Sequence, residues 1–324
     1  MVQLSIVRLI CTYYPLGLTC LTSLLNSLTL IILSRKVFQQ RPIIRYMRAI
    51  AIVDILMLYG WNLDHFFRLQ FGFEMDRLTV LSCKFSTYFN HVLTQSSAWL
   101  RVWMCINRYC TLNQLRTRRT NHHQHRRAKF FIGSTLIVIA LINLHLPVFS
   151  CYAYQSDNET KISSESLSLP LYPTWNYVNL ALYNIIPSCL MLLFNILIIR
   201  RLIMIKRTSI LHQSRVRHSS ISVSILLSTF LFCLMTTPPA IVFAFFRTFV
   251  HSALFENLIL NILDSIKYTY HSLSFLLYFI TIVDFRHEIF RFLHHRFDLP
   301  IYLSRILRKT SIQTPTGILR QNSH

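Results

Sequence analysis

Arg101 stands in "SSAWLRVWMCINRYC" (residues 96–110), a stretch otherwise fit for a membrane interior, and Arg108 follows seven residues later. An ionised guanidinium at bilayer depth costs upward of about 2.5 kcal/mol, so such a residue needs a partner and marks a functional position. At helical period, Asn90, Thr94, Ser97, Arg101, Met104 and Arg108 recur at steps of three and four, on one face of a helix. Five of the six are polar, so that face must look toward other protein and not toward lipid. Asp54, in "AIAIVDILML", is the one carboxylate deep within an apolar stretch, six residues from Arg48. At the helical rise of 1.5 Å per residue, Asp54 and Arg101 both lie roughly 10 Å inside, at one depth. The chemistry this suggests is ion pairing in a bundle. In the competing reading Arg101 snorkels to the cytosol. Helical side chains tilt toward the N-terminus, which for this segment is the opposite direction.

The elements that must position these groups are long and apolar. The chain has 324 residues, 53% hydrophobic and 14% charged, with five Gly. Seven apolar blocks of membrane-spanning length stand out, at roughly 10–34, 46–66, 80–106, 130–150, 176–199, 219–246 and 259–283. The first is too long for a signal-peptide core and has no cleavage pattern after it, so it reads as a span. The fold class expected is an all-α membrane protein, a seven-transmembrane helix bundle.

The net charge of +21 is distributed by topology. Of the 33 basic residues, most fall in 35–48, 108–129, 200–217 and 286–320, while eight of the twelve acids lie at the opposite ends of the spans. This alternation follows the positive-inside rule and puts the N-terminus outside and the C-terminus inside. The basic rim faces anionic membrane lipid and a cytosolic partner, and nucleic acid is excluded as a partner. Among eight cysteines only Cys83 and Cys151 fall on the oxidising face, where a disulfide can form. Asn158, in Asn-Glu-Thr, is a glycosylation acceptor on that same side. No zinc spacing, phosphate loop or nucleophile–base constellation occurs, so neither an enzyme nor a metal or cofactor is expected. The scattered histidines, His122, His123 and His125 among them, read as solvated residues of cytoplasmic loops.

With these residues in place the chain resembles the rhodopsin-like (class A) G-protein-coupled receptors, and within them the FMRFamide-type invertebrate neuropeptide receptors. The likeness covers about residues 15–295. Asn26 and Asp54 match the family's first- and second-helix polar residues, and Cys83 stands 25 residues before Arg108, the family's spacing. Asn107-Arg108-Tyr109 stands where the family has Asp-Arg-Tyr, and Pro187 and Pro238 match the fifth- and sixth-helix prolines. "SFLLY", Ser274 to Tyr278, occupies the Asn-Pro-x-x-Tyr position, and Phe285-Arg286 opens the family's short amphipathic eighth helix. The chain departs from the pattern where Thr236 replaces the sixth-helix tryptophan, Asn107 the aspartate, and Arg101 a bulky aliphatic residue. A guanidinium then takes the place of the family's sodium ion.

The resemblance implies an extracellular N-terminus over 1–9, a receptor domain over 10–283, amphipathic helix 8 over 284–297 and a cytoplasmic tail over 298–324, in the plasma membrane. It implies a Cys83–Cys151 disulfide and an intramembrane polar network of Asn26, Asp54, Ser97, Arg101 and Ser274. It assigns coupling to a heterotrimeric G protein to Asn107, Arg108, Tyr109 and Tyr278, with Pro238 as the bend that lets helix six swing outward. Asn90 stands where amine receptors hold an aspartate, and Lys267 is one residue from the retinal-bearing position, Tyr268. An extracellular peptide ligand remains, with Asp64, Asn90, His91, Asp264 and Tyr268 as its candidate contacts and the two acids set to hold a cationic, amidated end. The alternatives are a diverged receptor without agonist and a membrane transporter. A transporter usually carries an internal repeat and paired broken helices, and neither is found here.

Overall fold

The computed structural model describes residues 2–74, 78–114, 121–156, 159–163, 171–208, 212–246 and 256–297. Helix α1 covers Val2–Leu33, a short α2 covers Lys36–Gln39, and α3 covers Ile43–Phe71. Then come α4 (Val80–Gln114), α5 (Asn121–Ile142) and α6 (His145–Phe149). After a β-hairpin the chain continues through α7 (Leu171–Leu180), α8 (Ile186–Thr208) and α9 (His212–Ile241). It ends in α10 (Glu256–Ser272), α11 (Ser274–Thr281) and α12 (Val283–Phe297).

Local chemistry sets several of the boundaries. Gly72 closes α3 at φ 69, its N–H bonded to the Arg68 carbonyl at 3.0 Å, a left-handed cap that glycine adopts without a Cβ penalty. Thr79 and Ser82 exchange backbone-to-hydroxyl bonds of 3.0 Å each, which satisfies amides at the start of α4. Pro187 has no N–H to offer the preceding turn, and the backbone just before it widens into a π-helical turn, Ala181–Ile185. Ile282 is extended (φ −101, ψ 102) and separates α11 from α12.

Neighbouring helices close into a ring. α3 packs between α1 and α4, α4 also meets α5 and α8, α8 meets α9, and α9 meets α10, which returns to α1. The surface of this ring is apolar, with Leu24, Phe130, Phe230, Leu234 and Ile280 exposed, while Asp54, Ser97, Arg101 and His271 are buried inside it. Polar inside and apolar outside is the arrangement a bilayer solvent demands.

Two features differ from the sequence expectation. Strands β1 (Tyr152–Ser156) and β2 (Glu159–Ser163) form an antiparallel hairpin directly after Cys151, so the fold is mostly helical and not purely so. Among the described residues, four stretches are long and apolar enough to cross a membrane: Leu9–Leu33, His125–Phe149, Thr174–Ile205 and Ser220–Phe246. The helices through the other three apolar blocks, α3, α4 and α10, are those that carry Asp54, Arg101 and His271. Ionisable side chains turned inward lower their mean hydropathy without placing charge against lipid.

Candidate functional site

The centre of the bundle is built around the Asp54 carboxylate, which is fully buried on α3. Arg101 of α4 donates from Nη2 to Asp54 Oδ2 at 2.7 Å. Its Nη1 donates to the Ser97 carbonyl at 3.0 Å and to the Ser97 hydroxyl. Ser97 Oγ in turn donates to Asp54 Oδ1 at 2.7 Å. His271 of α10 brings Nδ1 to 2.9 Å from the same oxygen, and Ser274 of α11 donates to Oδ2 at 3.4 Å. The His271 contact is favourable only when Nδ1 carries the hydrogen, which sets the tautomer. The carboxylate thus accepts from four side chains on three other helices, the degree of satisfaction a buried charge requires.

The spacing argument holds physically because α4 keeps Ser97 and Arg101 one turn apart on the face toward α3. Arg101 is 2% exposed and directed at Asp54, so it does not snorkel. Its guanidinium also lies 4.9 Å from the ring centroid of Tyr270, within the range of a cation–π contact.

Asn26 corrects the expected network. It is fully buried on α1, but among the described residues neither side-chain atom has a hydrogen-bond partner, and it stays outside the cluster. The hydrogen-bond capacity of Asp54 is already taken by the groups named above. His271 fills the role instead, and the reading that left histidines to cytoplasmic loops missed it. The signal was present: His271 lies inside the last apolar block, three residues before Ser274 and so on the same helical face.

At the end of the bundle that carries Cys83 and Cys151, Asp264 pairs with Lys267 of its own helix at 3.5 Å. Residues three apart on a helix meet on one face, which sets Lys267 beside this candidate ligand contact. Lys267 Nζ also lies 4.6 Å over the Tyr268 ring. Tyr268 is buried and stacked on Trp61 at 4.8 Å, and Trp61 stacks on His65 at 4.6 Å, so Tyr268 joins α10 to α3. Asn90 is turned toward α3, where a Cβ added at Gly60 would stand 2.7 Å from its Oδ1. His91 is held by Nδ1 against the Thr87 carbonyl at 2.8 Å, and Asp64 is half-buried. Cys83 and Cys151 form a disulfide that joins the first turns of α4 to the start of the hairpin. Asn158 lies outside the described residues, as does the tail beyond Phe297.

At the basic end, Arg108 is buried and donates from Nε to Ser222 Oγ of α9 at 2.8 Å. Sequence reading placed no residue opposite Arg108, and Ser222 is a serine among others in "SSISVS". Tyr109 lies 6.0 Å from Phe194 of α8, and the Asn107 Oδ1 is buried without a hydrogen-bond partner among the described residues. Tyr278 is buried against Phe285, ring centroids 6.0 Å apart. Pro238 faces outward and the adjoining Pro239 inward, with the Thr236 hydroxyl bonded to the Phe232 carbonyl at 2.7 Å and receiving the Asn184 amide at 2.8 Å.

The family model described as serpentine type 7TM GPCR chemoreceptor Srw matches residues 13–290. No curated protein matches the chain. The matched family is one of chemoreceptors and not of enzymes, and with the apolar helices it makes the chain a multi-pass membrane protein.

Proposed function

The chain belongs to the serpentine type 7TM GPCR chemoreceptor family Srw, and we propose that it is a plasma-membrane receptor whose extracellular ligand is a neuropeptide. In this reading it has seven spans, an outside N-terminus and the rhodopsin-like, FMRFamide-type character its motifs suggest. α12 lies along the cytoplasmic membrane surface, tied to the loop after α1 by an Arg41–Asp284 ion pair of 2.6 Å. Ligand binding stabilises an arrangement in which the basic end of α9 moves outward and a heterotrimeric G protein docks in the opened cleft. By linkage, the G protein tightens ligand binding by the same factor.

The observation that carries this reading is the Arg108–Ser222 bond, which joins α4 to α9 at the basic end of the bundle. It is a contact the outward swing must break. The test is guanine-nucleotide exchange on added G protein, with the full chain in lipid nanodiscs challenged by an amidated-peptide library. Ser222→Ala is expected to raise ligand-independent exchange by about ten-fold or more, since a hydrogen bond from a charged group contributes roughly 1.5 kcal/mol or more. Unchanged basal exchange in that variant, or ion flux in proteoliposomes without any exchange, would remove the reading.

The peptide's cation is assigned to the acids at the disulfide-bearing end of the bundle, Asp64 and Asp264. Asp64→Asn is then expected to raise the half-maximal agonist concentration by about ten-fold, the magnitude of one lost charge-assisted contact. A dose–response curve that does not move would make Asp64 a bystander.

A further inference from the structure

The polar cluster around Asp54 and the mobile element of the proposed mechanism, α9, belong to different parts of the bundle. Tyr270 stands between them. It is 1% exposed, one residue before His271, and its ring lies beneath the Arg101 guanidinium at 4.9 Å. Its hydroxyl reaches across to α9 and shares a hydrogen bond of 3.1 Å with Ser228 Oγ. Phe232, one turn further along α9, meets the same ring edge-on at 5.4 Å. One side chain thus touches the charged cluster with its face and α9 with its hydroxyl.

The chemistry of this contact is selective. A tyrosine hydroxyl buried in an apolar bundle needs a partner, and Ser228 supplies it only while α9 stays close. If α9 moves out, the Tyr270 hydroxyl loses Ser228 and is left with the Arg101 guanidinium as its polar neighbour. The ring cannot follow α9 without leaving the face of a guanidinium that is fixed by Asp54 and Ser97. The inward position of α9 therefore carries a stabilisation that depends on the Asp54–Arg101 pair staying intact. Ser228 is six residues from Ser222 along α9, so the helix is held at two heights, by Tyr270 in the middle and by Arg108 at the basic end.

We propose that Tyr270 is the positioning residue that latches α9 inward, through its hydroxyl bond to Ser228, and that it couples the buried Asp54–Arg101 cluster to receptor opening. The role rests on the receptor reading above. It assigns to the Tyr270–Ser228 pair the restraint for which the sequence, with Thr236 in place of a tryptophan, offers no aromatic residue on α9 at that position. Ligands that shift α10 relative to α4 would release the latch by sliding the Tyr270 ring off Arg101.

The test uses the full chain in lipid nanodiscs with two readouts. The first is the distance between spin labels on Cys110, which is exposed at the end of α4, and on a cysteine introduced by Val216→Cys in α9, with the other exposed cysteines replaced by serine. The second is basal guanine-nucleotide exchange. Tyr270→Phe, which keeps the ring over Arg101, and Ser228→Ala should each enlarge the long-distance population by about two- to ten-fold, the range set by one neutral hydrogen bond. The double variant should do no more than either single one, because both remove the same bond. Additive effects, or distances unchanged in both variants while Ser222→Ala lengthens them, would overturn the latch and leave the receptor reading standing. Lengthened distances without nucleotide exchange on any G protein class would instead support the latch and overturn the receptor reading.

Discussion

Asp54→Asn is expected to reduce surface expression and signalling more than the double change Asp54→Asn with Arg101→Leu. The carboxylate of Asp54 accepts from Ser97, Arg101, His271 and Ser274, and removing its charge leaves the Arg101 guanidinium buried with only neutral acceptors. Breaking a buried pair by deleting one partner costs about 3–5 kcal/mol, whereas replacing both with apolar or neutral groups is often close to neutral. A cost of that size is a large fraction of the roughly 5–15 kcal/mol that separates folded from unfolded chains. The arrangement also makes the two single changes unequal. Arg101→Leu leaves Asp54 with His271, Ser97 and Ser274, so it should be the milder of the two. Surface level and thermal unfolding of the purified chain, measured for both singles and the double, form a complete cycle. Strict additivity would show that the two residues do not interact, and a milder Asp54→Asn would contradict the donor count.

Loss of the Cys83–Cys151 disulfide is expected to have the second-largest effect. The bond closes a chain separation of 68 residues, for which loop-closure entropy gives about 4 kcal/mol as an upper figure. Helices held by a bilayer are already restricted, so Cys83→Ala should cost about 2–4 kcal/mol and sharply lower the amount of receptor at the surface. Cys151 adds a second contribution, because it sits at φ 62, a left-handed conformation that non-glycine residues adopt at a cost of roughly 1 kcal/mol. The disulfide and the hairpin that starts at Tyr152 hold it there. Cys151→Gly should therefore retain more surface receptor than Cys151→Ala, although both lack the bond. Equal levels for the two variants would show that the hairpin tolerates the turn without strain. Wild-type levels for Cys83→Ala would show that the bond contributes nothing to folding.

The sequence by itself determined what a local pattern can encode. Helical period placed Ser97, Arg101 and Arg108 on one face of α4, and the count from the basic ends put Asp54 and Arg101 at one depth. The apolar blocks carried the membrane character, since length and composition alone set whether a helix can sit in lipid. What the pattern could not encode was rotation about each helix axis and the choice of neighbour. His271, Tyr270, Ser222 and Ser228 lie in apolar blocks where period 3.6 assigns each a face but not the helix that face meets. Their partners are 42 to 217 residues away in the chain, and only the packing of the ring brings them together. The same limit explains the hairpin after Cys151, whose strands are stabilised by pairing with each other. Asn26 shows the converse. Its type and position suggested the network, but Asp54 offers a limited number of acceptor sites, and the packing of α4, α10 and α11 around α3 gave them to other donors. Which polar groups share a buried carboxylate is a question of distances between helices, and those exist only in the folded bundle.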